Sequence, residues 1–300
     1  MSSNPGGVSI ERSARGALPY AKLEHVLVLI IVKGNRVTAP PTHDVLGTTV
    51  TMPVEIRDAR CFVAGFSADA AAVQRAIDSA APRAGTLRPL RIRPGRAMCM
   101  IVFIDYVDGD LGPYNEFGVC FLVEDPQSPP ASPVATMRKL VRGDARALIH
   151  RLPVDGEFTL AAGRVIWGFP KTLAEFDVDH DSATKHGRVA VDGRTIVDLR
   201  VRPGIPVPGS AADTVLNAYS QLDGVLRLTP WRLTSTRDTR TRVGGARLTL
   251  GQGPIADELR SLRLSRYALM SSSVGRLTMT FENPTVVQGR GGEPISRTVE

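Results

Sequence analysis

Residues 164–173 read RVIWGFPKTL, an apolar run that turns through Gly-Phe-Pro and then reaches Lys171. Proline disfavours a helical conformation in the residue before it and fixes its own φ, so Phe169 and Pro170 give Lys171 a stiff, directed approach. Only 5 of the 37 basic residues are lysines, and arginine supplies the rest. An ammonium group, unlike a guanidinium, can be driven by burial to its neutral, nucleophilic amine. Lys171 is therefore either a reactive amine or a lysine that extends its ammonium out of an apolar patch.

The composition indicates a globular protein with a large core. The chain has 300 residues, of which 43% are hydrophobic, and we expect one domain. A net charge of +7 would suit nucleic acid, but the arginines are spread along the chain and aromatic residues make up only 5%. A solvated surface is the favoured interpretation, so we predict no nucleic-acid partner.

The cysteines and the first apolar run indicate the compartment. Cys61, Cys99 and Cys120 lack CxxC spacing, which argues against a disulfide framework and against a zinc site. The run VLVLIIV at residues 26–32 is too short to span a bilayer and lacks the flanks of a signal peptide. We predict a cytoplasmic protein with no membrane partner, in which residues 1–20 form a flexible leader and residues 21–300 form the domain.

Short apolar runs divided by Gly, Pro and Asp indicate a chain that is mostly β. Two hairpins are predicted, at Asp192-Gly193 and at Gly244-Gly245, because both pairs tolerate positive φ. The spacing of the runs suits a sandwich or a barrel. Strands are predicted at residues 54–56, 61–66, 98–106, 118–123, 189–191, 195–201, 225–233, 247–250 and 277–281.

Helical patterns are few, so the predicted fold class is α+β and mostly β. Ser67 is the predicted N-cap of the first helix, and Pro133 occupies the first turn of the second. The predicted helices are residues 68–81, 133–149, 211–222 and 255–262.

Three segments together resemble the acetoacetate decarboxylase family. They are RVIWGFPKTL, LGPYNEFGVCFLV at residues 111–123, and PIADELRSLRLSRYALMSSSVGRLTMTF at residues 254–281. The similarity extends, with gaps, from about residue 51 to residue 287. The resemblance implies a cone-like antiparallel β-barrel with a few peripheral helices, and a lysine that forms a Schiff base with a keto acid.

The resemblance assigns the candidate catalytic residues. The family's Gly/Ala-aromatic-Pro-Lys motif falls on residues 168–171, which makes Lys171 the nucleophile. Its Tyr-x-Glu segment falls on residues 114–116 and makes Glu116 the carboxylate that manages the proton steps, although Glu116 alone would read as a polar residue in a turn. Tyr114, Trp167 and Phe169 are the candidate apolar and aromatic substrate contacts.

Two departures and an insertion distinguish this chain from the family pattern. Thr172 stands where the family's well-known member has a second lysine, so burial among apolar neighbours must lower the pKa of the amine. The family's early-strand arginine, which receives the substrate carboxylate, falls on Ala59, with Arg57 and Arg60 nearby. These two arginines have opposite parity on a strand, so only one of them should face inward. Arg57, Arg60 and Thr172 complete the candidate substrate-binding set, and the insertion at about 124–154 is a candidate lid or oligomer contact.

The resemblance implies a cofactor-free carboxy-lyase, a homo-oligomer, that decarboxylates a β-keto acid through an imine on Lys171. Two alternatives stay open: a Schiff-base aldolase or dehydratase acting on a keto acid, and a barrel that binds a keto acid or apolar ligand without turnover. The segment DVDHDSATKH, residues 177–186, clusters acids with His180 and His186. A charged surface turn is the favoured interpretation of it, so no metal site is predicted. The chain also lacks the phosphate-loop pattern and the Gly-x-Ser-x-Gly elbow.

Overall fold

The computed structural model describes residues 40–80, 87–126, 136, 145–208 and 214–287. Contacts divide the chain into two units, Met1–Ala39 and Pro40–Glu300, and every described residue belongs to the second. The predicted leader therefore lies outside the described residues. None of the described helices is long and apolar enough to cross a membrane.

The described residues are mostly β, as the sequence predicts. The helices with bounds in this part of the chain are α1 (Ala70–Ala80), α2 (Glu157–Trp167) and α3 (Pro254–Ser261). The strands are β1 (Thr42–Val45), β2 (Thr48–Thr51), β3 (Val54–Asp69), β4 (Arg91–Arg93), β5 (Arg96–Gly109), β6 (Tyr114–Val123), β7 (Arg146–Val154), β8 (Lys171–Leu173), β9 (Glu175–Asp179), β10 (Lys185–Val191), β11 (Arg194–Val201), β12 (Ile205–Pro206), β13 (Thr214–Leu222), β14 (Val225–Arg237), β15 (Arg240–Val243), β16 (Ala246–Leu250), β17 (Met270–Phe281) and β18 (Thr285–Val286).

Seven strands close into a barrel. Hydrogen-bonded neighbours follow the order β3-β5-β6-β7-β13-β14-β17, and β17 pairs with both β14 and β3. All of these pairs are antiparallel except β7 with β13, which is parallel. The predicted barrel is confirmed, with one parallel pair in its wall.

Two apolar clusters occupy the two faces of the barrel wall. One cluster contains Tyr106 and Trp231 and receives residues from all seven strands, so it fills the barrel interior, where α2 packs. The other contains Phe62 and Phe103 together with buried residues of β10 and β11. Those two strands belong to a second sheet of order β16-β11-β10-β9. Because successive side chains of a strand point to opposite faces, six of the seven barrel strands contribute to both clusters, whereas β17 contributes to the interior cluster alone.

The predicted strands are found, and most of them are longer than predicted. The runs 54–56 and 61–66 belong to a single strand, β3. The Asp192-Gly193 hairpin is confirmed, with φ of 50° and 69° at the two residues and antiparallel pairing of β10 with β11. The second predicted hairpin is wrong. Gly244 and Gly245 do have positive φ, but β15 pairs with β17 while β16 pairs with β11, so this turn carries the chain from one sheet to the other.

Within the described residues, the helix predictions are confirmed at α1 and α3. The first helix begins at Ala70, and Asp69 rather than Ser67 accepts the capping hydrogen bond, from the N–H of Ala72. Residues 214–222 form strand β13, because nine register pairs with β14 outweigh an ambiguous apolar pattern. Much of the predicted 133–149 helix lies outside the described residues. Its last four residues belong to β7, as do the last nine of the proposed 124–154 insertion.

Helix α2 was missed, because its apolar residues 165–167 were read as the run leading into the proline bend. Its sequence carries the usual signals, with Glu157 in the first turn and alanines in the middle. Gly168 ends it in the left-handed conformation at φ 63°.

Candidate active site

Lys171 opens strand β8 with its side chain turned into the barrel. It pairs in parallel with Leu152 of β7, and only 3% of it is exposed. The bend before it is tied to α2 by the Phe169 N–H, which donates to the Gly163 carbonyl at 2.9 Å. The Lys171 N–H then donates to the Phe169 carbonyl at 2.8 Å, around Pro170. The lysine therefore starts from a fixed backbone.

Helix α2 packs against the aliphatic part of the Lys171 side chain. A Cβ at Gly163 would lie 2.5 Å from Lys171 Cδ, so glycine is what allows the stem to approach the helix. Thr159 lies one turn earlier on the same helical face, and its Oγ1 accepts a hydrogen bond from Lys171 Nζ at 2.8 Å.

Glu116 faces the amine from barrel strand β6. Its Oε2 lies 3.0 Å from Lys171 Nζ, and only 4% of the residue is exposed. Tyr106 of β5 donates its hydroxyl to the other carboxylate oxygen, Oε1, at 3.2 Å. Tyr114 stacks on Tyr106 with 4.3 Å between the ring centroids, and Lys171 Nζ lies 4.7 Å from the Tyr114 ring centroid.

Burial and the Glu116 charge act in opposite directions on the amine. Burial lowers the pKa of Lys171, while the charge and hydrogen bond of Glu116 raise it, and the net effect is a pKa below the ordinary lysine value. Burial, followed by the negative charge of Glu116, raises the pKa of both Tyr106 and Tyr114 well above the usual tyrosine value. Both phenols therefore keep their protons at neutral pH.

The family profile described as Acetoacetate decarboxylase (ADC) matches residues 39–289 of the chain. The chain belongs to this family. A search of curated protein sequences found no match.

Solved structures of acetoacetate decarboxylases share the fold at low sequence identity. One, from structural studies of acetoacetate decarboxylase, is 16% identical, with a TM-score of 0.57 over 87% of this chain and 98% of that one. Acetoacetate decarboxylase from Legionella pneumophila subsp. pneumophila str. Philadelphia 1 is 18% identical, with a TM-score of 0.56 over 86% and 95% of the two chains. The enduracididine biosynthesis enzyme MppR, complexed with pyruvate, is 14% identical, with a TM-score of 0.54 over 79% and 91%.

At the position of the family's early-strand arginine this chain has Ala59. Ala59 is fully buried in the interior cluster and lies directly opposite Tyr106 in the β3–β5 register. Arg57 is exposed and pairs with Asp108 and Asp110, at 2.9 and 2.6 Å.

Arg60 lies on the outer face of the wall and pairs with Asp105 and Asp181, at 2.8 and 2.7 Å. The parity argument that put one arginine inside is wrong, because β3 has a bulge between Ile56 and Ala59. A bulge adds a residue to one strand and so shifts the alternation of inward and outward side chains.

Thr172 and the two aromatic residues of the motif occupy different surroundings. Thr172 is exposed and follows Lys171 on the strand, so its side chain points away from the amine. Trp167 and Phe169 are buried in the interior cluster with 5.9 Å between their ring centroids, and Trp167 Nε1 donates to the Glu282 carbonyl at 3.0 Å. They belong to the apolar interior of the barrel, where they also contact Phe281 and Trp231.

Three residues of the candidate site were not predicted from the sequence. They are Tyr106, Thr159 and Gly163. Thr159 and Gly163 are four residues apart, so they lie on one face of a helix. That relationship is visible only if residues 157–167 are predicted to be helical. Tyr106 becomes visible only through its register opposite Tyr114. The described residues hold no group of three or more His, Cys, Asp or Glu side chains placed to bind a metal ion.

Proposed function

We propose that this chain is a cofactor-free Schiff-base lyase that decarboxylates a β-keto acid through an imine on Lys171. One observation carries the proposal: the buried Lys171 amine lies 3.0 Å from the buried Glu116 carboxylate, inside a barrel of the acetoacetate decarboxylase family. An ion pair so deeply buried is a weak source of stability, because desolvation offsets much of the attraction. A perturbed amine with a carboxylate at hydrogen-bonding distance is, in contrast, a common arrangement for catalysis.

The lysine supplies the covalent step. Because burial lowers the pKa of Lys171, a larger share of the amine is neutral at a given pH than for an exposed lysine. The neutral amine attacks the ketone carbon and forms a C–N bond, and loss of water from the carbinolamine gives the protonated imine. The bond to the carboxylate carbon then breaks, carbon dioxide leaves, and the electron pair moves through the α carbon to the imine nitrogen to give an enamine. Protonation of the α carbon and hydrolysis of the imine release the ketone and restore Lys171.

Glu116 and Tyr106 serve the proton transfers. Glu116 Oε2 is within hydrogen-bonding distance of the nitrogen that gains and loses protons, so it can accept the amine proton and return it to an intermediate. The Tyr106 hydroxyl holds the other carboxylate oxygen. Thr159 accepts a second hydrogen bond from the amine and helps to fix its position.

A Schiff-base aldolase or dehydratase is the second candidate. In that reaction the enamine arises by loss of a proton, not of carbon dioxide, from the carbon next to the imine, and it then attacks the carbonyl carbon of an aldehyde. The buried Ala59 opposite Tyr106 supports this candidate, because the inner wall at that position has no arginine to bind a substrate carboxylate. MppR, which shares the fold, is described as complexed with the condensation product of pyruvate and imidazole 4-carboxaldehyde. A non-catalytic barrel that binds a keto acid is the third candidate.

Borohydride trapping tests the proposal. The protein is incubated with acetoacetate or pyruvate and sodium borohydride, and the substrate mass is mapped to a peptide. We expect it on Lys171, lost in Lys171→Met and kept in Lys185→Met, a control that removes a half-buried lysine of strand β10. Label on Lys139 or Lys185 with none on Lys171 would overturn the proposal. Release of carbon dioxide from acetoacetate then separates decarboxylation from aldol chemistry.

We further propose that the active form is a cytoplasmic homo-oligomer that takes a small keto acid and needs no cofactor. Size-exclusion chromatography with light scattering tests the oligomer, and full activity after exhaustive dialysis against a chelator tests the lack of a metal requirement.

A further inference from the structure

The solvent-facing side of the second sheet carries a row of basic side chains. His186 of β10 lies directly opposite Arg200 of β11, and Arg200 lies directly opposite Arg247 of β16. Leu199 and Leu248, the neighbours of these arginines, pack toward the outer cluster, so the arginines point to solvent. Like charges directly opposite each other on neighbouring strands are destabilising.

Few carboxylates offset this row. Within the described residues, Asp198 is the carboxylate that pairs with Arg200, at 3.7 Å, and its other oxygen already lies 2.9 Å from His186. Arg202 and Arg247 have no ion pair in the part of the chain that the structure describes. Asp179 lies directly opposite His186 at the β9 edge, so the uncompensated charges among the described residues are those of Arg202 and Arg247.

A cavity of about 780 Å³ lies beside the row. Its described lining includes Arg200, Arg202, Arg247 and Arg266 but no acidic side chain. Tyr267 also lines it, is 70% exposed, and has the Arg266 guanidinium 5.4 Å from its ring centroid. The volume is within the range of small-molecule sites.

We propose that this cavity binds a phosphorylated small molecule that carries a planar ring, of the nucleoside diphosphate class. Arginine rather than lysine lines the cavity, and the planar guanidinium fork matches phosphate oxygens in a bidentate way. The exposed tyrosine offers a flat face on which a ring can stack. The row faces solvent while Lys171 is inside the barrel, so this site is separate from the imine chemistry and does not rest on it.

Calorimetric titration of the full chain with ADP tests the proposal, in about 0.15 M salt so that diffuse attraction is screened. We expect saturable 1:1 binding that Arg247→Ala and Arg202→Ala each weaken by at least about 10-fold. Arg247→Lys should also weaken it, because the charge remains but the fork is lost. Arg194→Ala is the matched control, since Arg194 is exposed on the same strand as Arg200, is absent from the cavity lining and changes the net charge equally. It should change the affinity less than 2-fold.

Further probes separate the parts of the proposal. Tyr267→Ala should weaken ADP but leave inorganic pyrophosphate unchanged, because pyrophosphate has no ring. The melting temperature and the borohydride trapping of each variant check that fold and active site are intact. Citrate binding as tightly as ADP, an oligonucleotide binding more tightly than ADP, or no saturable ADP binding would each overturn the proposal.

Discussion

The Lys171 amine lies 3.0 Å from the Glu116 carboxylate, although the two residues come from strands on different parts of the chain. Both side chains are almost fully buried. Burial favours the neutral amine and Glu116 favours the ammonium, and burial has the larger effect on the lysine pKa. The net effect is a Lys171 pKa below the ordinary lysine value.

Glu116→Gln should separate the two effects of this carboxylate. The substitution removes the attraction that raises the Lys171 pKa, so that pKa should fall further while turnover drops by about 100- to 10,000-fold. The pH dependence of acylation of Lys171 by an amine-selective reagent gives the pKa, and a steady-state assay gives the rate. A Lys171 pKa that rises in Glu116→Gln would contradict the assigned electrostatics, and unchanged turnover would remove Glu116 from the proton steps.

Gly163→Ala should reduce imine trapping without unfolding the protein. The new Cβ would meet the flexible lysine stem at 2.5 Å, so the lysine must move away from Thr159 and Glu116. Alanine in a helix is about 0.5–1 kcal/mol more favourable than glycine, which offsets part of the strain. The trapped fraction and the melting temperature are measured together. Ala161→Gly, on the same helix, is a control that leaves the helix face in contact with Lys171 unchanged. Full trapping in Gly163→Ala would show that the close approach is not needed.

Thr172→Lys should leave the pH dependence of Lys171 acylation nearly unchanged. Thr172 is exposed and points away from the amine, so an added ammonium there is screened by solvent. Trp167→Ser, which opens the buried wall, should raise the Lys171 pKa toward the ordinary value. Equal shifts from both substitutions would argue that the charge at position 172 controls the amine.

Arg57→Ala and Arg60→Ala should each change the KM for keto acids by less than about 2-fold, because both arginines are paired with carboxylates outside the interior cluster. Steady-state kinetics on acetoacetate checks this. A large KM increase in either variant would mean that the arginine leaves its partners to bind substrate.

Glu258→Gln should lower the free energy of unfolding at neutral pH. It should also make that free energy fall less steeply as the pH is lowered. Burial opposes the charge of Glu258, but hydrogen bonds from His150 and Arg151 outweigh it and lower the pKa of Glu258 from 4.5 to about 2. A depressed carboxyl pKa stabilises the fold above the unfolded value, and that stability is lost as pH falls from about 4.5 toward 2. Urea unfolding should show a loss of roughly 1–3 kcal/mol at pH 7 that shrinks near pH 2. Glu55→Gln, at an exposed position, is the control, and an equal loss in both variants at pH 7 would contradict the assigned role.

The sequence by itself determined the composition, the mostly β class and the two motifs that carry Lys171 and Glu116. Alternating apolar runs identify strands from local information, and the Asp192-Gly193 turn specifies its own hairpin. Strand lengths and helix bounds were harder to predict from the sequence. Residues 214–222, for example, suit either a helix or a strand, and pairing with β14 decides between them. The missed helix α2 concealed Thr159 and Gly163, which contact the Lys171 side chain.

Only the tertiary structure decided which side chains meet. The bulge in β3 turns Ala59 inward and keeps Arg57 and Arg60 out of the interior, and no local pattern reveals a bulge that depends on the partner strands. The arginines that look dispersed along the chain meet at one cavity, because β11 and β16 lie side by side although β12 to β15 separate them in sequence. Inward and outward alternation is a local property, whereas register and sheet order arise from long-range pairing that a single sequence does not display.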